Sequence, residues 1–150
     1  MNTISELMTH DHRDCDGIFA RAEELASDGD WADAAEALKK FADALNAHFD
    51  AEESTLFPAF EQATGNAMGP TRVMRLEHQQ MRETLAGMDH ALAGGDLDDF
   101  LGQAEGLLIL MQQHNIKEEQ MLYPMCDRLL SGTVGSVIQA MRDVPAVQPT

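Results

Sequence analysis

The chain has 150 residues, and its 26 acidic side chains outnumber 10 lysines and arginines to give a net charge of −16. So acidic a surface repels nucleic-acid phosphates and anionic membranes, and neither is an expected partner. The longest aliphatic run, at residues 107–111, is too short to cross a bilayer, and the first residues lack the pattern of a secretory signal. Two cysteines do not make a disulfide framework, so a cytoplasmic location is expected.

Turn signals rich in glycine, proline and aspartate divide the chain into long segments with the apolar spacing of helices. The predicted helices span 11–27, 31–63, 70–93 and 96–130, followed by a short helix over 133–143 and a tail over 144–150. Because the connections are short, neighbouring helices must run antiparallel, which predicts an all-α, up-down-up-down four-helix bundle. We expect one domain over 1–150, with its core at about 4–130 and a C-terminal extension over 131–150. Pro58 and Pro124 lie within long predicted helices, so a bend is expected at both.

An internal repeat relates the two halves of the chain. A shift of 66 positions aligns them without a gap from His12 to Pro124. The shift matches His12 with His78, His48 with His114, Glu52 with Glu118, and Pro58 with Pro124. Residues four apart on a helix differ by about 40° around its axis, so each His-x-x-x-Glu pair shares one face. Flanking apolar residues turn that face inward, and we expect two copies of one helical hairpin about a pseudo-two-fold axis.

The repeat brings four imidazoles and two carboxylates into an apolar core. Burying bare carboxylates is costly without compensating positive charge, which two metal ions would supply. Imidazole nitrogen and carboxylate oxygen form a ligand set suited to iron, with manganese or zinc less expected. If both carboxylates bridge, an oxo or hydroxo group makes each ion five-coordinate and leaves one position for a small ligand. The predicted metal ligands are His12, His48, Glu52, His78, His114 and Glu118.

At these residues the sequence resembles the hemerythrin-like, or HHE cation-binding, domain family. The motifs that carry the resemblance are Asp11-His12, the segment 48–53 with 56–58, Glu77-His78, and the segment 114–119 with 122–124. The resemblance covers about residues 4–130. It implies a four-helix bundle with a non-haem di-iron centre that Glu52 and Glu118 bridge and the four histidines complete. Carboxylates at Asp11, Glu53, Glu77 and Glu119 are available to orient these histidines.

The chain departs from oxygen-carrying hemerythrins at one position. Those proteins place a fifth histidine four residues after the one on the third helix, where this chain has Arg82. The repeat partner of Arg82 is Asp16. Three interpretations stay open: the two form an ion pair at the mouth of the site, Asp16 binds metal directly, or they form an exposed salt bridge of little energetic value. Tyr123 is nine residues after His114, so α-helical spacing places it on the opposite face as a packing residue.

These features predict a cytoplasmic di-iron protein that binds dioxygen or a related small ligand, as a sensor, a store or a scavenger. Two alternatives use the same centre. The first is an enzyme that reduces nitric oxide or peroxide, which the replacement of a fifth histidine by Arg82 favours. The second is a protein that donates iron to other iron centres or repairs them. The sequence does not identify a redox partner.

Overall fold

The computed structural model describes residues 2–144, and this part of the chain is helical with no strand. The helices are α1 (Ile4–Ser27), α2 (Trp31–Ala51), α3 (Phe57–Thr64), α4 (Pro70–Ala93), α5 (Leu97–Lys117), α6 (Tyr123–Leu129) and α7 (Val134–Arg142). Two π-helical segments, Glu52–Leu56 and Glu118–Leu122, join α2 to α3 and α5 to α6. The predicted all-α fold and the short C-terminal helix are confirmed. Residues 145–150 of the predicted tail lie outside the described residues.

The long helices form two hairpins that pack into a bundle. α1 packs along α2, and α4 packs along α5. α1 also contacts α5, and α2 contacts α4, so α1 and α4 lie on one diagonal of the bundle. Each hairpin turns at a glycine with positive φ, Gly29 at 81° and Gly95 at 67°, a conformation that side chains with a Cβ rarely adopt. Across residues 2–144, no helix has the length and hydropathy needed to cross a membrane.

The first helix begins seven residues earlier than predicted, at Ile4 rather than residue 11. Thr3 caps it, because the Thr3 hydroxyl oxygen accepts a hydrogen bond of 3.0 Å from the Glu6 amide. The carboxylate of Asp127, from α6, accepts two more from the amides of Ile4 and Ser5, at 2.8 and 3.1 Å. These bonds satisfy amides that a helix start leaves unpaired, and two of the three go to a residue far away in sequence.

A π-helical segment ends two residues before each proline that is expected to bend a helix. A proline lacks the amide hydrogen of a normal helical turn, and its ring clashes with the carbonyl four residues earlier. The chain accommodates both effects by widening the turn. The amide of Phe57 donates to the Glu52 carbonyl, and the amide of Tyr123 donates to the Glu118 carbonyl, each five residues back. The interruption thus occurs where the prolines predicted it, and it takes the form of a wider turn.

The interior contains two apolar clusters with a polar layer between them. One cluster includes Phe19, Phe41 and Phe49, and the other includes Leu56 and Phe57. Along each long helix, the buried histidine lies between a residue of one cluster and a residue of the other. The flanking pairs are Met8 and Cys15 on α1, Met74 and Met81 on α4, and Met111 and Leu122 around His114 and Glu118. The fold therefore encloses a layer of ionisable side chains between hydrophobic walls.

Candidate metal centre

All six predicted ligands meet in this polar layer. Each is buried, with between 0% and 5% of its surface exposed. Their donor atoms form two overlapping groups in which every atom lies within 4.8 Å of the others. Position A consists of Glu52, His78, His114 and Glu118, and position B consists of His12, His48 and Glu118. The carboxylate of Glu118 belongs to both groups, so the two groups adjoin at this residue.

Four polar atoms of position A form no hydrogen bond of good geometry within the described part of the chain. Glu52 Oε1, His78 Nε2, His114 Nε2 and Glu118 Oε2 are buried without a hydrogen-bond partner. His78 Nε2 lies 3.1 Å from Glu52 Oε1, and His114 Nε2 lies 3.2 Å from Glu118 Oε1. An unpaired buried polar atom costs about 1–3 kcal/mol, so four at one point are unfavourable unless something binds them. A cation satisfies all four at once, and the donor set fits a metal ion.

Position B is formed by the equivalent residues of the first half, with one addition. His12 Nε2 lies 3.1 Å from Glu118 Oε1, and His48 Nε2 lies 3.4 Å from Glu52 Oε1. The hydroxyl of Tyr123 lies 3.1 Å from His12 Nε2 and 3.5 Å from His48 Nε2. It also lies 2.8 Å from Glu52 Oε2 and 2.9 Å from Glu118 Oε1, and its residue is fully buried. A phenol oxygen therefore lies among the donor atoms of this position.

The prediction that Tyr123 faces away as a packing residue is wrong. α-Helical spacing puts it about 180° from His114, but a turn widened by one residue rotates the following residues by about 100°. The π-helical segment Glu118–Leu122 lies between the two and turns the ring toward the site. Pro124 is the sequence signal for this interruption. The repeat partner Phe57 is turned inward in the same way, and its ring centroid lies 5.6 Å from that of His78.

The four carboxylates expected to orient the histidines do so. Each accepts a hydrogen bond from the Nδ1 of one histidine, which leaves Nε2 facing the centre. The pairs are His12 with Glu119 at 2.6 Å, His48 with Asp11 at 2.7 Å, His78 with Glu53 at 2.7 Å, and His114 with Glu77 at 2.8 Å. Such bonds set the tautomer and the ring orientation that metal ligation requires, and they make the imidazole more basic. The pairs follow the internal repeat, since Asp11 matches Glu77 and Glu53 matches Glu119.

The predicted ion pair between Asp16 and Arg82 is not formed. Arg82 instead contacts α2, where its Nη1 lies 2.9 Å from Glu53 and its Nη2 lies 3.3 Å from Asp50. Burial opposes ionisation of Glu53, but hydrogen bonds from His78 and Arg82 outweigh it and lower its pKa to about 2. Asp16 lies outside both donor groups, so the structure does not support its direct metal ligation either. Because α1 and α4 lie on a diagonal of the bundle, side chains one turn beyond their histidines face the adjacent helices rather than each other.

Without bound metal, the histidines and glutamates of the site share protons with one another. Burial and the neighbouring Glu118 raise the pKa of Glu52. Burial also disfavours the Glu118 carboxylate, but hydrogen bonds from Glu52, His114 and His12 outweigh it and hold the pKa well below its usual range. Burial opposes protonation of His12 and His78, yet the hydrogen bonds and charges of neighbouring glutamates raise both pKa values to about 9. Protons thus balance the buried carboxylates when metal is absent.

This pattern predicts a pH-dependent stability of the metal-free protein. His12 and His78 have folded-state pKa values of about 9, above the 6.5 of an unfolded histidine. Their contribution is fully present below pH 6.5 and is lost as the pH rises through about 9. We expect the free energy of unfolding, measured with urea in the presence of a chelator, to fall by several kcal/mol across this range. The metal-loaded protein is the control, because bound metal has already displaced these protons. Equal slopes for both forms would contradict the prediction.

A surface cavity reaches the site from one side. It has a volume of about 300 Å³, and Asp11 and His48 lie in its wall together with Met141 and Arg142 of α7. The cavity therefore touches position B and the carboxylate that orients its second histidine. A diatomic ligand is small compared with this volume.

The comparisons with known proteins agree with this geometry. The family model described as the hemerythrin HHE cation-binding domain matches residues 3–126, which include all six predicted ligands and Tyr123. Neither curated proteins nor solved structures gave a match. The matched region extends from the cap of α1 into α6 and so spans both copies of the repeat. The chain belongs to the hemerythrin HHE cation-binding domain family.

Proposed function

We propose that this protein is a non-haem di-iron protein that binds dioxygen or a related diatomic ligand, as a sensor, a store or a scavenger. The observation that carries the proposal is the set of four buried donor atoms without partners, two from histidines and two from glutamates. Position A and position B each have two histidines, Glu118 belongs to both, and Glu52 of position A lies 3.4 Å from His48 Nε2 of position B. Two ions would therefore share both carboxylates and have two imidazoles each.

Iron fits this donor set better than the alternatives for this function. Imidazole and carboxylate ligands are acceptable to iron, manganese and zinc. A ferrous pair supplies the electrons with which dioxygen or nitric oxide is bound, and zinc has no redox chemistry. The protein's part is to hold the imidazoles through their Nδ1 hydrogen bonds and to surround the centre with apolar side chains. Phe49 belongs to these apolar surroundings at position A, where its ring stacks on the ring of His78 with centroids 3.8 Å apart.

The test is anaerobic reconstitution with ferrous iron followed by exposure to air. We expect two iron ions per chain and a visible absorption band that appears with dioxygen and disappears on degassing. The matched control is the double variant Glu52→Gln and Glu118→Gln, which keeps the side-chain shape and removes both bridging carboxylates. Binding of fewer than two ions by the unmodified protein would remove the proposal, and a band that never reverses would exclude reversible carriage.

A second candidate is an enzyme that reduces nitric oxide or peroxide at the same centre. The observation that favours it is the Tyr123 hydroxyl, which lies within 3.5 Å of both histidines at position B. Without bound metal, burial and the charges of Glu118 and Glu52 raise the pKa of Tyr123 well above its usual value. A proton held at this oxygen is available to a reduced ligand. With a chemical reductant supplied in excess, sustained production of nitrous oxide, or loss of peroxide well beyond the one equivalent that two ferrous ions can reduce, separates turnover from binding.

We further propose a cytoplasmic location. Cys15 and Cys126 are free thiols, which a reducing compartment preserves. The third function considered, donation of iron to other proteins, has less support, because every donor residue is at most 5% exposed. Such enclosure predicts slow exchange of the metal with a chelator.

A further inference from the structure

Three departures from the internal repeat lie next to the metal centre. At each, the two halves have residues of different charge or polarity, although the ligands themselves are matched. The pairs are Asp16 with Arg82, Ala51 with Lys117, and Phe57 with Tyr123. The two halves thus have the same three predicted ligands each, but they differ in the residues next to those ligands.

Around position A, both orienting carboxylates have a cation. Glu53 accepts from His78 Nδ1 at 2.7 Å and from Arg82 Nη1 at 2.9 Å. Glu77 accepts from His114 Nδ1 at 2.8 Å through one oxygen and binds the Lys117 ammonium through the other. Each negative charge that would strengthen a position A histidine is therefore partly neutralised, and Arg82 also shares its charge with Asp50, at 3.3 Å.

Around position B, the corresponding carboxylates have no such partner. Within residues 2–144, neither Asp11 nor Glu119 has a lysine or arginine nitrogen within 4.0 Å. Arg142 lines the same cavity as Asp11 without forming an ion pair with it. Where Arg82 would lie by symmetry, Asp16 adds a further negative charge that acts on Glu119.

The third departure acts in the same direction. The Tyr123 hydroxyl lies 3.1 Å from His12 Nε2, so an oxygen faces the donor atoms of position B. Phe57, its counterpart, presents only a ring to His78 at position A. A hydroxyl oxygen beside position B and unneutralised carboxylates bound to its histidines both favour a more highly charged ion there.

We propose that the two metal positions are inequivalent and that the ion at His12 and His48 carries the higher charge when the pair is mixed in valence. This inference rests on the proposed di-iron function. When ferricyanide removes one electron from the ferrous pair and becomes ferrocyanide, the electron comes from position B, and position A stays ferrous. Arg82 and Lys117 are positioning residues. They bind the carboxylates that orient the position A histidines, and their positive charges keep the electron at that position.

The experiment measures the two one-electron potentials of iron-loaded protein by spectroscopic titration. The separation between them sets how much mixed-valence protein exists at half oxidation. Arg82→Gln and Lys117→Gln each make position A easier to oxidise, and Asp16→Asn makes position B harder to oxidise. All three therefore narrow the separation, and removal of one partly screened charge lowers the mixed-valence equilibrium constant by on the order of tenfold.

The controls separate charge from structure. Arg72→Gln removes an equal charge from an exposed position on the same helix and leaves the separation unchanged. Arg82→Lys keeps the charge and retains most of the separation even if the hydrogen-bond geometry is altered. A wider separation in Arg82→Gln or Asp16→Asn would place the ferric ion at position A and overturn the inference, as would no change in any variant. Failure to load two irons would instead overturn the proposed function.

Discussion

Removal of the metal ions from the loaded protein is expected to lower its melting temperature by about 15–30 °C. An ion at a free concentration a thousandfold above its dissociation constant stabilises the folded state by about 4 kcal/mol, so two contribute about 8 kcal/mol. For a chain of this size, each kcal/mol shifts the melting temperature by about 2–4 °C. The physical source is the polar layer, where four buried donor atoms have no hydrogen bond of good geometry when the ions leave. Thermal unfolding followed by circular dichroism, with and without a chelator, measures the difference.

The matched control for this experiment is the double variant Glu52→Gln and Glu118→Gln. Both residues are fully buried, and the substitution keeps their shape while removing the charges that attract cations. We expect the variant to melt at the same temperature with and without metal. If the unmodified protein also melts at one temperature in both conditions, the ions are not held by this core.

The sequence is sufficient to predict which six histidines and glutamates come together and which four carboxylates bind the histidines. Two properties of the chain make this possible. The 66-residue repeat matches the histidines and glutamates in one register, and the His-x-x-x-Glu spacing puts each pair on one helical face. Asp11 directly precedes His12, and Glu53 directly follows Glu52. Each side chain therefore lies close to the neighbouring helix. Helical periodicity and duplication can both be seen in the sequence, so the clustering of these residues can be predicted from it.

The position of Tyr123 could not be derived from α-helical periodicity. The calculation assumes one helical geometry over the nine residues from His114, and the π-helical segment changes it within that span. Pro124 indicates an interruption, but a proline can also end or kink a helix, and only the wider turn rotates the tyrosine inward. Sequence spacing therefore fails at the step where the backbone changes its number of residues per turn.

The partners of Asp16 and Arg82 depend on how the hairpins are arranged, which the repeat does not specify. A two-fold relation makes the two residues equivalent, and equivalent residues on diagonal helices need not meet. Arg82 finds Asn46, Asp50 and Glu53 on α2, the helix beside it. The charge difference between Asp16 and Arg82 can be read from the sequence, but the partner of each residue depends on which helices are neighbours.

Substitution of Phe49 by alanine is expected to destabilise the fold and weaken metal binding together. Phe49 is 1% exposed, and its ring stacks on His78 at 3.8 Å and lies 6.2 Å from the ring of His114. The guanidinium of Arg82 lies 5.1 Å from the same ring centroid. Loss of a buried phenylalanine costs about 3–5 kcal/mol, and loss of a group that orients ligands lowers metal affinity by about 10- to 100-fold. Urea unfolding and competition with a chelator of known affinity measure the two effects.

Phe41→Ala is the matched control, because Phe41 lies on the same helix and in the same apolar cluster but packs on Phe19, at 5.0 Å, away from the donors. It is expected to lose a similar amount of stability and to keep its metal affinity. Phe49→Leu preserves most of the buried volume and removes the stacked ring, so it tests orientation if the alanine variant does not fold. Equal metal affinities in the Phe41 and Phe49 variants would show that Phe49 only fills space. A selective loss in the Phe49 variants shows instead that the wall of the polar layer holds the imidazole at the angle a metal ion requires.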